Sequence, residues 1–381
     1  MRSIINKNND KSSITDTFKI GNSETKDPNR IATAFCEYFT NVGSKLSAQI
    51  PNSRQNYNNY LQKHALTPSR SLFLYPTDEG EVQSTIKLLK PKTSTGPDDI
   101  SSWLLKQINK SICKPLSILI NKSMENGQFP NNLKIAKIVP IYKSKAKDEL
   151  NNYRPISLLS SISKVFEKIV YKRLYHFISE SLYTRQYGFR EKHSTVQAVT
   201  ELYFDIIDSW ENKQYTLATF LDLSKAFDTI DHKILINKLH FYGVRGVALS
   251  WFQSYLSERK HFIQYKSYTS PKSSIVCGVP QGSILGPLLF IIYTNDLPNC
   301  LKYSKCILYA DDTTVYFSSS NLSKSYDSLN YDLNNLTDWF RANKLSLNVG
   351  KAMYLLFRNK HENTSTNNYN LNIGPQIIKR V

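Results

Sequence analysis

Apolar residues adopt a helical spacing early in the chain and switch to alternation further on. Residues 1–26 are polar, rich in Asn, Lys and Ser, and read as a loose tail. From Asp27-Pro28 onward Ile31, Phe35, Phe39 and Val42 line one face of a helix, with Asp27 as N-cap and Pro28 in the first turn. Residues 51–71 read as a polar linker. Asp78 and Glu81 form a capping-box pattern ahead of Val82, Ile86 and Leu89. Residues 100–126 read as two short helices ending near Gly127 and Pro130.

The period then changes. Residues 135–143 alternate as a strand does, a polar turn follows, and residues 154–159 lead into a helix over about 161–182. In the second half, residues 215–223 form a β-rich run ending in Asp222. Residues 234–242, 248–256, 282–297 and 322–343 read as helices, and 261–268, 273–276 and 352–357 as strands. Residues 303–309 and 313–317 flank Ala310-Asp311-Asp312, which predicts a hairpin with the acidic pair at its tip. No internal repeat interrupts the series. The pattern predicts an α+β fold with an antiparallel sheet.

Composition narrows the function classes. A chain of 381 residues suggests two or three globular units. With 40% hydrophobic and 12% aromatic residues it has enough apolar mass for a sizeable core, which excludes global disorder. The longest nearly apolar run, residues 284–293, falls well short of the ~20 residues that span a bilayer. The first residues show no secretory apolar core. Cys36, Cys113, Cys277, Cys300 and Cys306 are sparse, odd in number and form no C-x-x-C pair, which argues against a zinc site and for a reducing compartment. The expectation is an intracellular protein of nucleus or cytoplasm, neither secreted nor membrane-bound. None of the seven histidines has metal-ligand spacing, and His232 reads as structural.

Charge points to a polyanionic partner. Lys and Arg number 49 against 31 Asp and Glu, a net charge of +18. Residues 1–190 carry 29 basic and 15 acidic side chains, whereas residues 191–381 carry 20 and 16. The asymmetry peaks in residues 134–173, with ten basic and three acidic residues.

Two acidic features sit inside the nearly balanced half. Asp222 ends an apolar strand, with Phe227 five residues on, and Asp311-Asp312 occupies the hairpin turn. Each alone is a common turn residue. Carboxylates at strand ends beside a core are costly unless a cation balances them. Together, on neighbouring strands, they have the chemistry to hold a pair of divalent ions for nucleotidyl transfer, and hard oxygen donors suit Mg²⁺.

At this point the residues resemble a family. Tyr309-Ala-Asp-Asp312 is similar to the Y-A-D-D box of reverse transcriptases. The stretch from Phe220 to His232 resembles the first palm motif of enzymes of non-LTR retrotransposons, and that from Gly278 to Phe290 their P-Q-G motif. The runs Asn152–Leu159, Thr95–Ile100 and Trp339–Asn348 with Lys351 resemble three further motifs, and all six occur in the family's order. The resemblance implies a right-hand polymerase with fingers over 78–212, an antiparallel palm over 213–381 and an N-terminal tail and helical extension over 1–77. It implies Asp222 and Asp311 as main metal ligands, Asp312 as supporting acid and the Leu223 carbonyl as a further ligand to two Mg²⁺ ions, with Mn²⁺ as a substitute. Phe227 is implied as a steric gate against a 2′-hydroxyl, and Lys143 and Arg154 as a grip on the incoming triphosphate. Gln281 and Gly282 would meet the nucleotide or template, Tyr309 would support the primer terminus, and Lys351 would protonate pyrophosphate.

The sequence departs from the family pattern at Thr95, Asp99 and Ala352, and it ends soon after Lys351, without room for the family's helical thumb. The expectation is a truncated copy or fragment: an RNA-directed DNA polymerase core using RNA template, DNA primer and deoxynucleoside triphosphates, of unknown oligomeric state. The alternatives are a catalytically idle nucleic-acid-binding remnant and an RNA-dependent RNA polymerase, against which Phe227 speaks.

Overall fold

The computed structural model describes residues 17–61, 70–358 and 369–381. Strands β1 (Phe18–Ile20) and β2 (Ser23–Thr25) form a hairpin that leads into helix α1 (Pro28–Gln49). The expected loose tail is therefore ordered at its end, because Phe18 is fully buried against Phe35, Tyr153 and Tyr265. Residues 1–16 lie outside the described residues. Asp27 caps α1 by accepting from the Asn29 amide, and Ile31, Phe35, Phe39 and Val42 are buried as the spacing predicts. In the expected linker, a short helix α2 (Asn58–Leu61) buries Tyr60 and Leu61.

Helices α3 (Glu79–Leu88), α4 (Ser102–Gln107) and α5 (Asn109–Glu125) follow. Asp78 caps α3, but the capping box is only half made. The Glu81 carboxylate, instead of returning to Asp78, binds the buried guanidinium of Arg173 at 2.9 and 3.1 Å and accepts from Thr77. A charge-assisted bidentate pair outcompetes a local cap. Gly127, with φ +63°, ends the α5 region as expected.

Strands β3 (Ile135–Tyr142) and β4 (Tyr153–Leu158) pair antiparallel, and helix α6 (Ser161–Ile178) follows with Ser160 as N-cap. Helix α7 (Thr195–Glu211) leads to strand β5 (Tyr215–Leu221), and helices α8 (His232–Phe241) and α9 (Gly246–Leu256) come next. Strands β6 (Lys260–Tyr265), β7 (Tyr268–Thr269) and β8 (Ser273–Ser274) rejoin the first sheet, where β6 runs parallel to β3. Helix α10 (Leu285–Thr294), strands β9 (Lys305–Tyr309) and β10 (Asp312–Ser319), and helix α11 (Leu322–Ala342) lead to β11 (Met353–Phe357). A small β12 (Asn372–Ile373)–β13 (Gln376–Ile377) pair and β14 (Lys379–Arg380) close the chain.

Two five-stranded sheets result, ordered β4-β3-β6-β7 with β8 on β6, and β14-β11-β5-β10-β9. The second is antiparallel as expected except where β14 joins β11 in parallel. Both sheets are thus mixed. Residues 260–274 return to a sheet begun at residue 135, so a division at 212/213 cuts across the first sheet. Helix α1 covers that sheet with a separate aromatic core. The main core lies between the second sheet and helices α6, α8, α9, α10 and α11. None of the described helices is long and apolar enough to cross a membrane, and all five cysteines are free thiols.

Lys238 on α8 and Asp296 form an ion pair at 2.6 Å with both side chains fully buried, and Lys238 also donates to the Tyr293 carbonyl. Removing one partner of such a pair leaves an uncompensated buried charge. Lys238→Met is therefore expected to lower unfolding free energy by about 3–5 kcal/mol. Urea titration checks this, and a loss below ~1 kcal/mol, the level of an exposed pair, contradicts it.

Candidate active site

Strand β5 is buried on both faces between β10 and β11, and Asp222 is the first residue beyond its end. Its register places the acids. Thr313 of β10 lies opposite Leu221, so the next step brings Asp312 level with Asp222. Tyr309 pairs with Asp312 across the two-residue turn Ala310-Asp311. Ala310 takes φ +56°, a left-handed conformation that this kind of turn demands and that costs a non-glycine residue about 1–2 kcal/mol.

A segment that sequence analysis did not single out holds that turn. Residues 185–188 run beside β9: Leu308 N–H donates to the Arg185 carbonyl and Tyr187 N–H to the Leu308 carbonyl. The Gln186 side chain is buried, and its Oε1 accepts from the amides of Gly188 and Ala310. A Cβ on Gly188 would stand 2.0 Å from the Ala310 nitrogen, so only glycine fits there. The available signal was a Gln-Tyr-Gly-Phe-Arg run between two apolar elements.

The electrostatics show which groups converge. Crowding by protein atoms and the negative charges of Asp311 and Asp222 push the Asp312 carboxyl above its usual range, and Lys351 opposes them. Lys351 Nζ lies 2.7 Å from Asp222 Oδ2, and Asn348 Nδ2 donates to the same oxygen. Lys143, just past β3, has its ammonium pulled down by burial and by the positive charges of Lys351 and Arg154, while Asp222 and Asp311 hold it up. Lys225 feels Lys143 and Arg154 as well, and its Nζ donates to the Tyr153 carbonyl at 3.2 Å. Lys143 and Lys351 therefore border the acids, and Arg154 and Lys225 lie next to Lys143. Lys225 and Asn348 were not anticipated from sequence.

The remaining residues implied by the motifs fall around this centre. Leu223 forms a bridge with Leu347, but the bonds run from Asn348 N–H to the Asp222 carbonyl and from Ser224 N–H to Ser346. The Leu223 carbonyl takes no part in that bridge. Phe227 stacks on Phe290 at 5.0 Å and meets Phe189 edge-on, so its ring is held rather than free. The Gln281 carbonyl accepts from Ser157 N–H on β4, and its side chain binds Asp228. Gly282 has φ +126°, and a Cβ there would stand 2.6 Å from the Ser157 carbonyl. Tyr309 is half-buried against the cluster of Ala198, Ala218, Ile307 and Tyr316. A cleft walled by Phe220, Val199 and Met353 opens onto Asp222, Tyr309, Asp312 and Lys351.

Among the described residues no group of three or more His, Cys, Asp or Glu is gathered closely enough to hold a metal ion by itself. Asp222 and Asp311 nevertheless lie close enough to Asp312 to raise its affinity for positive charge. An open set of carboxylate oxygens fits Mg²⁺, which keeps waters and substrate phosphates in its shell. It does not fit a closed structural zinc site.

The geometry brings acids together at adjacent strand ends, and the chain belongs to the reverse transcriptase family. The family described as Reverse transcriptase (RNA-dependent DNA polymerase) matches residues 142–369. The chain is 34% identical to the probable RNA-directed DNA polymerase from transposon BS of Drosophila melanogaster over 74% of its length and 32% of that protein. It is 28% identical to the RNA-directed DNA polymerase from mobile element jockey, and 30% to the probable RNA-directed DNA polymerase from transposon X-element, both of the same organism, over the same shares. These relatives agree with the retrotransposon resemblance of the motifs. The chain spans about a third of the length of the curated relatives it matches.

Gly282→Ala introduces both a strained φ and an overlap with β4. It is expected to cost about 1–3 kcal/mol of stability, read by urea denaturation. A change within ~0.5 kcal/mol, the range of a neutral surface substitution, contradicts the close approach.

Proposed function

We propose that the chain is the catalytic core of an RNA-directed DNA polymerase that extends a DNA primer on an RNA template with deoxynucleoside triphosphates. The observation that carries this reading is the meeting of Asp222, Asp311 and Asp312 at one mouth, faced by Lys143, Arg154 and Lys351. The second sheet with its helices acts as the palm. The first sheet acts as the fingers, built from residues 78–212 and completed by residues 260–274, with α1 of the 1–77 extension packed on it.

Asp222 and Asp311, with Asp312 in support and the Leu223 carbonyl in reach, would hold two divalent ions, Mg²⁺ or Mn²⁺. Bound there, such ions supply charge neutralisation on the reacting phosphate and a more acidic primer hydroxyl. The protein's own groups do the rest. Arg154 and Lys143 bind the triphosphate oxygens, Arg154 through its planar fork. Lys351 now partners Asp222 as a local counterion. An exposed pair of this kind is weak, so the Lys351 ammonium is free to turn from Asp222 toward the phosphates, where it would serve as proton donor to pyrophosphate. Phe227, braced by Phe290 and Phe189, stands against the sugar and rejects a 2′-hydroxyl. Gln281 and Gly282 bring β4 and the nucleotide together, and Tyr309 supports the primer end.

Primer extension of oligo(dT) on poly(rA) tests the reading. Asp311→Asn is expected to reduce dTTP incorporation by about 10³-fold, roughly 4 kcal/mol of barrier, with hybrid binding retained. Equal incorporation by parent and variant, or none by either while the hybrid is bound, favours a nucleic-acid-binding remnant, since phosphate contacts alone need no acids.

Phe227→Ala is expected to raise incorporation of ribonucleotides relative to deoxynucleotides at least about tenfold, the scale of one steric contact. An unchanged sugar preference, measured with paired rUTP and dTTP, removes the gate assignment.

A further inference from the structure

Asp228 lies six residues beyond Asp222 and has no role in the assignments above. Gln281 Nε2 donates to both of its carboxylate oxygens, at 2.9 and 3.0 Å. The backbones are joined as well: Val279 N–H donates to the Phe227 carbonyl and Gly278 N–H to the Ile230 carbonyl. The approach is tight, since a Cβ on Gly278 or on Gly43 of α1 would overlap the Asp228 main chain. Asp228 and Gln281 line a small cavity together with Thr40, Arg259, His261 and Cys277. Gln281 therefore has its carbonyl fixed to β4, its amide nitrogen fixed to Asp228, and its Oε1 without a hydrogen-bond partner among the described residues.

We propose that Asp228 is a positioning residue for Gln281, fixing which end of the amide faces the nucleotide. An ionised carboxylate only accepts, so it holds Nε2 inward and leaves Oε1 as the presented acceptor. A protonated carboxyl, or an amide in its place, no longer discriminates between the two ends of Gln281, and a half-turn of the amide presents Nε2 instead. The inference rests on the polymerase reading for what Gln281 touches, but the orientation of Gln281 stands independently of it.

Titration supports the same view. Burial pushes the Asp228 carboxyl up to about 6, against the hydrogen bond from Gln281 and the charge of Lys225. The other titratable and charged groups around it are Tyr38 of α1, Cys277, whose Sγ contacts the Asp228 carbonyl, and Arg259 and His261 across the cavity. Since the carboxyl lies above its ordinary value, the ionised, orienting form is lost as pH falls through about 6.

The test uses the full chain and two readouts. The first is the side-chain amide resonance of Gln281, assigned by its absence in Gln281→Met. It is expected to shift with a midpoint near pH 6 in the parent, and to lose both the shift and its slow exchange in Asp228→Asn. The second is the KM for dTTP on poly(rA)·oligo(dT). Asp228→Asn is expected to raise it roughly tenfold, the scale of one hydrogen bond to a charged group, with kcat changed less than about threefold. Asp228→Glu, which restores an acceptor, recovers part of the loss. In the Gln281→Met background the Asp228 substitution adds nothing. A Gln281 resonance indifferent to Asp228→Asn and to pH overturns the proposal, as do KM effects that multiply in the double variant. If the parent incorporates no dTTP, the polymerase reading fails while the amide resonance still decides the orientation. Should Asp228→Asn not fold, Asp228→Glu carries the resonance measurement, with a displaced Gln281 signal expected and an unmoved one overturning the claim.

Discussion

Three carboxylates held within reach of one another repel, and the fold must hold them there before any cation arrives. Side-chain contacts do little of this work. The backbone does it, through the ladder between β5 and β10 that sets Asp222 level with Asp312 and the tight turn that adds Asp311. Because strand periodicity is two, a slip of one residue would carry the acid of one strand to the opposite face from its partner. The surrounding structure is arranged to prevent that slip: β5 is central and buried on both sides, and Gln186 with Gly188 grips the turn from outside.

The same logic explains where positive charge is placed. The cations at the mouth come from different parts of the chain. Lys143 and Arg154 are supplied by the first sheet, Lys225 by the loop after Asp222, and Lys351 by the turn before β11. Lys143 and Lys351 lower the cost of concentrating negative charge, and all four have a phosphate-binding chemistry of their own. The chain's net charge of +18 is thus organised, with the first sheet supplying part of the excess to the mouth that the second sheet makes acidic.

Much of this was legible in sequence, for identifiable reasons. Asp27 and Asp78 mark helix starts because capping is local chemistry, and the β9–β10 hairpin shows because its turn and flanking alternation lie within fifteen residues. The motif residues Asp222, Asp311, Asp312, Lys143 and Lys351 do converge electrostatically. Non-local facts were hidden. The parallel pairing of β3 with β6 joins residues far apart in sequence, and periodicity carries no information on it. Helix α7 went unrecognised because Val196, Val199, Tyr203 and Phe204 are exposed apolar residues that blur its amphipathic signal. Glu81 looked like a capping residue, and only tertiary structure reveals Arg173 as its partner.

The central claim is that the carboxylates bind divalent ions together with a nucleotide. Electron paramagnetic resonance of Mn²⁺ added to the protein with and without dTTP addresses it without requiring turnover. The account predicts that dTTP tightens Mn²⁺ binding to the parent by about tenfold or more, because nucleotide phosphates complete an open coordination shell, and that Asp222→Asn abolishes the gain. Equal Mn²⁺ binding by parent and variant in the presence of dTTP would contradict it.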